Sequence, residues 1–173
     1  GVNFGLACYN ENGELDTNFG PNNNGKVTTD FNDSYDRAYS VTILGDKIIV
    51  AGRVDNSSTG VNFGLACYNE NGELDTTFGT DGKVTTDFNG MTDYAKSVTI
   101  LGNKIIVAGM AENSTSIDFG LACYNENGTL DTNFGTGGKV TTDFNDSYDI
   151  ARSVTILGNK IIVAGRVDSN VTG

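Results

Sequence analysis

The stretch Asn3–Gly20, NFGLACYNENGELDTNFG, returns at Asn62–Gly79 as NFGLACYNENGELDTTFG and at Asp118–Gly135 as DFGLACYNENGTLDTNFG. Two more elements travel with it. KVTTDFN begins at Lys26, Lys83 and Lys139, and KIIVAG begins at Lys47, Lys104 and Lys160. The chain is therefore three copies of a unit of about 57 residues, and such periodicity is read before anything else because it sets the architecture. The copies divide as 1–59, 60–115 and 116–173. Their spacing drifts in two places. Gly20 to Gly25 encloses PNNN where Gly79 to Gly82 encloses TD, and RVDNSSTGVN after Gly52 is one residue longer than MAENSTSID after Gly109. Length changes confined to these segments predict surface connections there.

Each unit reads as four strands. SVTIL is β-branched, Gly-Asp or Gly-Asn follows, and KIIVAG comes next: two strands joined by a two-residue loop with Gly first, as a type II′ turn requires. FGLACY alternates, with Phe4, Leu6 and Cys8 on one face and Gly5, Ala7 and Tyr9 on the other. The small residues on that second face predict close approach of a neighbouring sheet. NENG supplies an Asn-Gly turn, after which Leu15 and Phe19 anchor a loop to the core. KVTTDF alternates again, Val27, Thr29 and Phe31 against Lys26, Thr28 and Asp30. No segment keeps a 3.6-residue period, so no long helix is expected; SYDRA, before Tyr39, is expected to form at most a single turn. Four antiparallel strands per unit, in tandem, is the pattern of β-propeller blades. One such sheet cannot bury both faces alone, whereas blade packed on blade does so. The fold class is thus all-β: tandem four-stranded antiparallel blades, propeller-like. The blades run out of phase with the repeats, with about 39–88 and 94–144 complete and 1–31 and 148–173 as half-blades.

Composition narrows the function. The net charge is −11 with a sequence pI of about 4.2, and nucleic-acid affinity rests on Lys and Arg neutralising phosphates. No nucleic-acid partner and no membrane insertion are expected, since no run approaches 18 apolar residues. Cys8, Cys67 and Cys123 occupy one position of each copy. Equivalent positions in packed sheets lie roughly 10 Å apart, beyond the ~7 Å Cα separation a disulfide allows, so all three read as small buried hydrophobes; an interchain bridge is the alternative that an odd count permits.

CYNENGELDTNFGPNNNGKVTTDFN followed by YSVTILGDKIIVAG closely resembles the delta-60 repeat family, across essentially the whole chain and in all three copies. ILGDKIIVAG departs from the family's longer polar turn before Lys, which touches one hairpin tip. The resemblance implies a large secreted or cell-surface protein built of propeller-like β repeats, and it implies no catalytic residues. The chain begins on the third strand of a unit and ends on the second. Either the end halves combine into one blade, as in ring propellers, or the array continues as a longer one, a fibre resulting if separate chains join head to tail. The near-identity of the copies and the lack of a polar capping repeat favour the longer array.

Candidate chemistry is sparse. With no His, most acid–base and nucleophilic schemes lose their usual base, and every candidate Asp recurs in threes where an active site is built once. No enzymatic activity is expected. The oxygen-rich TTDFNDSYD puts Asp33, Asp36, Asp146 and Asp149 forward as Ca²⁺ ligands, but Gly90 breaks the pattern in the middle copy, and Asx turns satisfying loop backbone are the preferred reading. No cofactor is expected beyond that Ca²⁺ alternative. Sequons stand at Asn32, Asn56, Asn113, Asn127, Asn145 and Asn170, all in expected loops or turns. Tyr9, Tyr68 and Tyr124 invite comparison with sugar-stacking residues, although a packing role with the hydroxyl at an edge is the commoner use. The expected function is a non-enzymatic structural scaffold, extracellular or on the cell surface, which extends into an array or filament with itself as partner. The alternative is a carbohydrate-binding, lectin- or adhesin-like propeller module with glycans as partners.

Overall fold

The computed structural model describes residues 1–31, 35–56 (for Asn56, its backbone only), 60–144 and 148–168. Among them every regular element is a strand. The strands are β1 (Phe4–Ala7), β2 (Lys26–Thr29), β3 (Arg37–Leu44), β4 (Lys47–Asn56), β5 (Gly60–Tyr68), β6 (Lys83–Thr86), β7 (Asp93–Leu101), β8 (Lys104–Glu112), β9 (Ile117–Tyr124), β10 (Lys139–Thr142), β11 (Asp149–Leu157) and β12 (Lys160–Val167). They form two complete four-stranded antiparallel sheets, β3-β4-β5-β6 and β7-β8-β9-β10, and two two-stranded sheets, β1-β2 and β11-β12. The fold is all-β, with propeller-like blades.

The hairpin tips follow the turn chemistry. Gly45, Gly102 and Gly158 take φ of +63°, +61° and +61°, the first position of a II′ turn that an L side chain resists. Beyond each tip the pairing carries one bulge: register shifts between Ala38 and Ser40, Ala95 and Ser97, and Ala151 and Ser153. The extra residue of each bulge (Tyr39, Lys96 or Arg152) interrupts the alternation and lets the strand twist. Gly52, Gly109 and Gly165 face these bulges, and a Cβ on any of them would collide with the carbonyl oxygen of Arg37, Tyr94 or Ile150. The glycine of KIIVAG is therefore set by close backbone approach, not by φ.

Two local expectations are corrected. SYDRA forms no helical turn in its described part: Arg37 and Ala38 already belong to β3, whose ladder to β4 outcompetes a single unsupported turn. RVDNSSTGVN is mostly strand. β4 runs through Asn56 and β5 starts at Gly60, so the hairpin is long and the connection short.

The four sheets stack in chain order, each seam filled by alternate residues. β1 and β2 meet β4 and β5 through Phe4, Val27, Phe31, Val50, Val54 and Tyr68. The other face of β4–β5, with Ile49, Phe63, Leu65 and Cys67, meets β7–β9 through Val98, Ala122 and Tyr124. Ile106, Leu121 and Cys123 then meet Ala151 and Val154 of the last sheet. The alternation read from FGLACY and KVTTDF is the alternation of seams.

Candidate functional site: the interface between blades

The polar groups repeat as faithfully as the apolar ones. Tyr68 Oη donates to Thr29 Oγ1 of the preceding sheet at 2.7 Å, and Tyr124 Oη to Thr86 Oγ1 at 2.8 Å. Lys83 Nζ donates to the Asp30 carbonyl at 3.0 Å and Lys139 Nζ to that of Asp87 at 2.8 Å. The Val98 N–H donates to Ser40 Oγ and the Val154 N–H to Ser97 Oγ. The Gly20 N–H reaches the Asn71 carbonyl, and the Gly79 N–H that of Asn127. Gly72, at φ +79°, presses on the Phe19 ring so closely that no Cβ fits, and Gly128 is crowded likewise by Val84 and the Phe78 ring. The second and third NENG turns are thus seated on the anchor phenylalanine of the previous blade.

Burial of the Tyr68 ring pushes its phenol up to about 12, although its bond to Thr29 pulls the other way, and Tyr124 is raised for the same cause. Both rings are 0% exposed, whereas Tyr9, against which no sheet packs among the described residues, is 60% exposed. The hydroxyls lie inside the seam instead of at its edge. Cys67 and Cys123 are buried free thiols and Cys8 is half-buried; burial pushes the Cys67 thiol up to about 12.

Three aspartates tie the crossovers between sheets. Asp36 Oδ2 accepts the Phe31 N–H at 2.8 Å, Asp93 Oδ2 the Phe88 N–H at 2.7 Å, and Asp149 Oδ2 the Phe144 N–H at 2.7 Å. All three carboxylates are buried. Asp93 Oδ1 also accepts the Glu112 N–H. Burial pushes Asp93 up to about 6, against those two donors and Lys139, with Asp87 adding to the rise. Asp36 and Asp149 therefore hold loop backbone, while Asp33 and Asp146 lie outside the described residues. Among the described residues no group of three His, Cys, Asp or Glu is placed to hold a metal. Within each complete blade an ion pair braces the NENG loop: Lys47–Asp75 at 2.6 Å and Lys104–Asp131 at 2.8 Å. The Lys47 ammonium holds Asp75 down at about 2.

A model of the family described as a domain of unknown function (DUF5122), beta-propeller, matches the chain over residues 1–19, 46–78 and 103–134. The chain is a β-propeller-like repeat protein. Each matched stretch ends on an anchor phenylalanine: Phe19, Phe78 or Phe134. No curated protein matches the chain.

Of the sequons, Asn113 is engaged through both side-chain atoms, its Nδ2 donating to Ser116 Oγ and Asp118 Oδ2. Asn127 is exposed, its Oδ1 accepting from the Thr129 N–H and hydroxyl. Asn56 belongs to β4, not to a loop, and its side chain is not described; Asn32, Asn145 and Asn170 lie outside the described residues. Sequence reasoning missed the interfacial Ser40, Ser97, Thr29, Thr86, Lys83 and Lys139. Their signal was available: small hydroxylic residues on strand faces that are otherwise apolar, and one Lys opening every KVTTDF. It also passed over the cation–aromatic ladder at the bulges, where Lys96 Nζ lies 3.9 Å from the Tyr39 ring centroid and Arg53 spans Tyr35 and Tyr94.

Proposed function

We propose that the chain is a non-enzymatic structural scaffold, part of a secreted or cell-surface protein of the delta-60 repeat kind, which extends by packing blade on blade. One observation carries this reading. Each bond of one polar set (Tyr to Thr, Lys to carbonyl, valine N–H to Ser, Gly to Asn) appears in two of the three seams, and the middle seam carries all four. Interfaces that repeat so strictly suit a module whose partner is another copy of the module. The second reading, a carbohydrate-binding module, loses Tyr68 and Tyr124, whose rings are enclosed; in its favour, Tyr35 and Tyr39 remain partly exposed beside cations at the bulges. A glycan array and negative-stain microscopy on one preparation separate the two. The scaffold reading expects no saturable glycan binding and extended particles. Saturable binding that Tyr39→Ala abolishes would overturn it.

A further inference from the structure

The crossover from β6 to β7 departs from its counterparts. TTDFNDSYD in the first and third copies becomes TTDFNGMTD in the middle one, so that Gly90 follows Asn89 where Asp33 and Asp146 follow Asn32 and Asn145. Asparagine is chemically labile, most of all before glycine, where no Cβ hinders attack of the next backbone nitrogen on the side-chain carbonyl. The chain has five such pairs: Asn12–Gly13, Asn24–Gly25, Asn71–Gly72, Asn89–Gly90 and Asn127–Gly128. Attack requires the glycine N–H to give up its proton. In four pairs that N–H donates to a backbone carbonyl, Gly13 to Asn10 at 3.1 Å, Gly25 to Phe19 at 3.0 Å, Gly72 to Asn69 at 3.0 Å and Gly128 to Asn125 at 2.9 Å. A carbonyl is no base, and each of these turns must open before the nitrogen can react. Gly90 differs. Its N–H donates to Asp87 Oδ1 at 2.7 Å, within the reach that a general base requires. Neither Asn89 nor Gly90 belongs to a strand, and both are exposed. Gly90, at φ +73°, has nothing within 4 Å of where a Cβ would stand. The backbone just before the pair is clamped, Lys139 Nζ donating to the Asp87 carbonyl at 2.8 Å and Asp93 Oδ2 accepting the Phe88 N–H at 2.7 Å.

We propose that Asn89 is a site of spontaneous backbone modification, with Asp87 as the base and water as the co-reactant. This goes beyond the scaffold reading and does not rest on it. Asp87 Oδ1 takes the Gly90 amide proton while the Gly90 nitrogen bonds to Asn89 Cγ. The Cγ–Nδ2 bond then breaks, and Nδ2 leaves as ammonia, carrying that proton away. Water adds to the resulting cyclic imide at either carbonyl. One opening gives aspartate at position 89, and the other gives isoaspartate, in which the chain runs through the side-chain carbon. The sum is amide and water to carboxylate and ammonium, with nothing oxidised or reduced. Asn89 lines a cleft together with Lys139 and Thr136, so the new carboxylate arises beside the cation that holds the Asp87 carbonyl across the seam. The modification therefore acts on the joint between two blades.

The folded 173-residue chain, aged at neutral pH and followed by peptide mapping with mass spectrometry, is expected to lose the amide at position 89 at least about 10-fold faster than at positions 12, 24, 71 and 127. Asp87→Asn should slow the loss at position 89 about 10- to 100-fold, toward the lower end of what a positioned base supplies. It should also change the pH profile. In the natural chain the rate rises less than in proportion to hydroxide, because the base is built in, and in Asp87→Asn it becomes proportional. A purely structural role for Asp87 would not move that slope. Gly90→Asp, which installs the residue that the other two copies carry, should protect Asn89. Melting by circular dichroism verifies that each variant folds. In concentrated urea the five pairs should react at similar rates, since each is the same dipeptide. Loss at any of the other four pairs that keeps pace with position 89 in the folded chain would overturn the proposal. So would an unaltered rate and pH profile in Asp87→Asn, or a preference for position 89 that persists in urea. Each of these results leaves the scaffold reading standing, since that fails on saturable glycan binding instead.

Discussion

Single side chains here do backbone work. At Gly109 a methyl group has nowhere to go, because the Tyr94 carbonyl of the bulge occupies its place. Gly109→Ala should force β7 from β8 and cost about 1–3 kcal/mol, as overpacking does, read as a lower urea midpoint. Asp93 has a pH signature. Its carboxyl stands at about 6 in the folded chain against 3.8 for the free group. A raised folded value means that its favourable contribution is complete below about 3.8 and is lost as pH climbs through 6. Relative to Asp93→Asn, the natural chain should therefore gain on the order of 2 kcal/mol when taken from pH 7 to pH 4, measured by denaturant unfolding at each pH. A flat difference between the two chains would refute that. The buried aspartates were half legible: TTDFNDSYD announces oxygen atoms beside a turn, but composition cannot separate a metal loop from a carboxylate that caps a backbone N–H five residues away. Only burial decides, and burial comes from the next sheet.

The same lesson governs the strands. KVTTDF and FGLACY were legible because period-two alternation is a local record of which face meets a neighbour, and the II′ tips were legible because Gly at the first turn position has few other uses. The bulges were not, since Tyr39, Lys96 and Arg152 look like ordinary members of a β-branched run. Nor was the reach of β4 and β5 into RVDNSSTGVN, where polar residues pair across a hairpin that extends past the core. Repetition also supplies internal controls that a single-copy fold lacks. Tyr124 is enclosed and bonded to Thr86, while Tyr9 occupies the same strand position in the open. Tyr124→Ala should cost about 3–5 kcal/mol, in the range of large core truncations, and Tyr9→Ala in dilute protein should stay within about 0.5 kcal/mol. Tyr124→Phe isolates the hydroxyl and should cost about 0.5–1.5 kcal/mol. Equal losses at positions 9 and 124, measured by thermal melting, would mean that the seams contribute nothing specific.

At the scale of the molecule, the net charge of −11 coexists with cations committed to blade contacts: Lys83 and Lys139 across seams, Lys47 and Lys104 within blades. Among the described residues, two inner sheets are covered on both faces and two outer sheets on one. Stability in such a stack is a sum over units and nearest-neighbour seams, so the outer sheets should open first. Native-state hydrogen exchange in dilute solution is expected to show the amides of β1–β2 and β11–β12 exchanging at a lower opening free energy than those of β4, β5, β8 and β9. Uniform protection across all twelve strands would instead describe a stack that opens only as a whole.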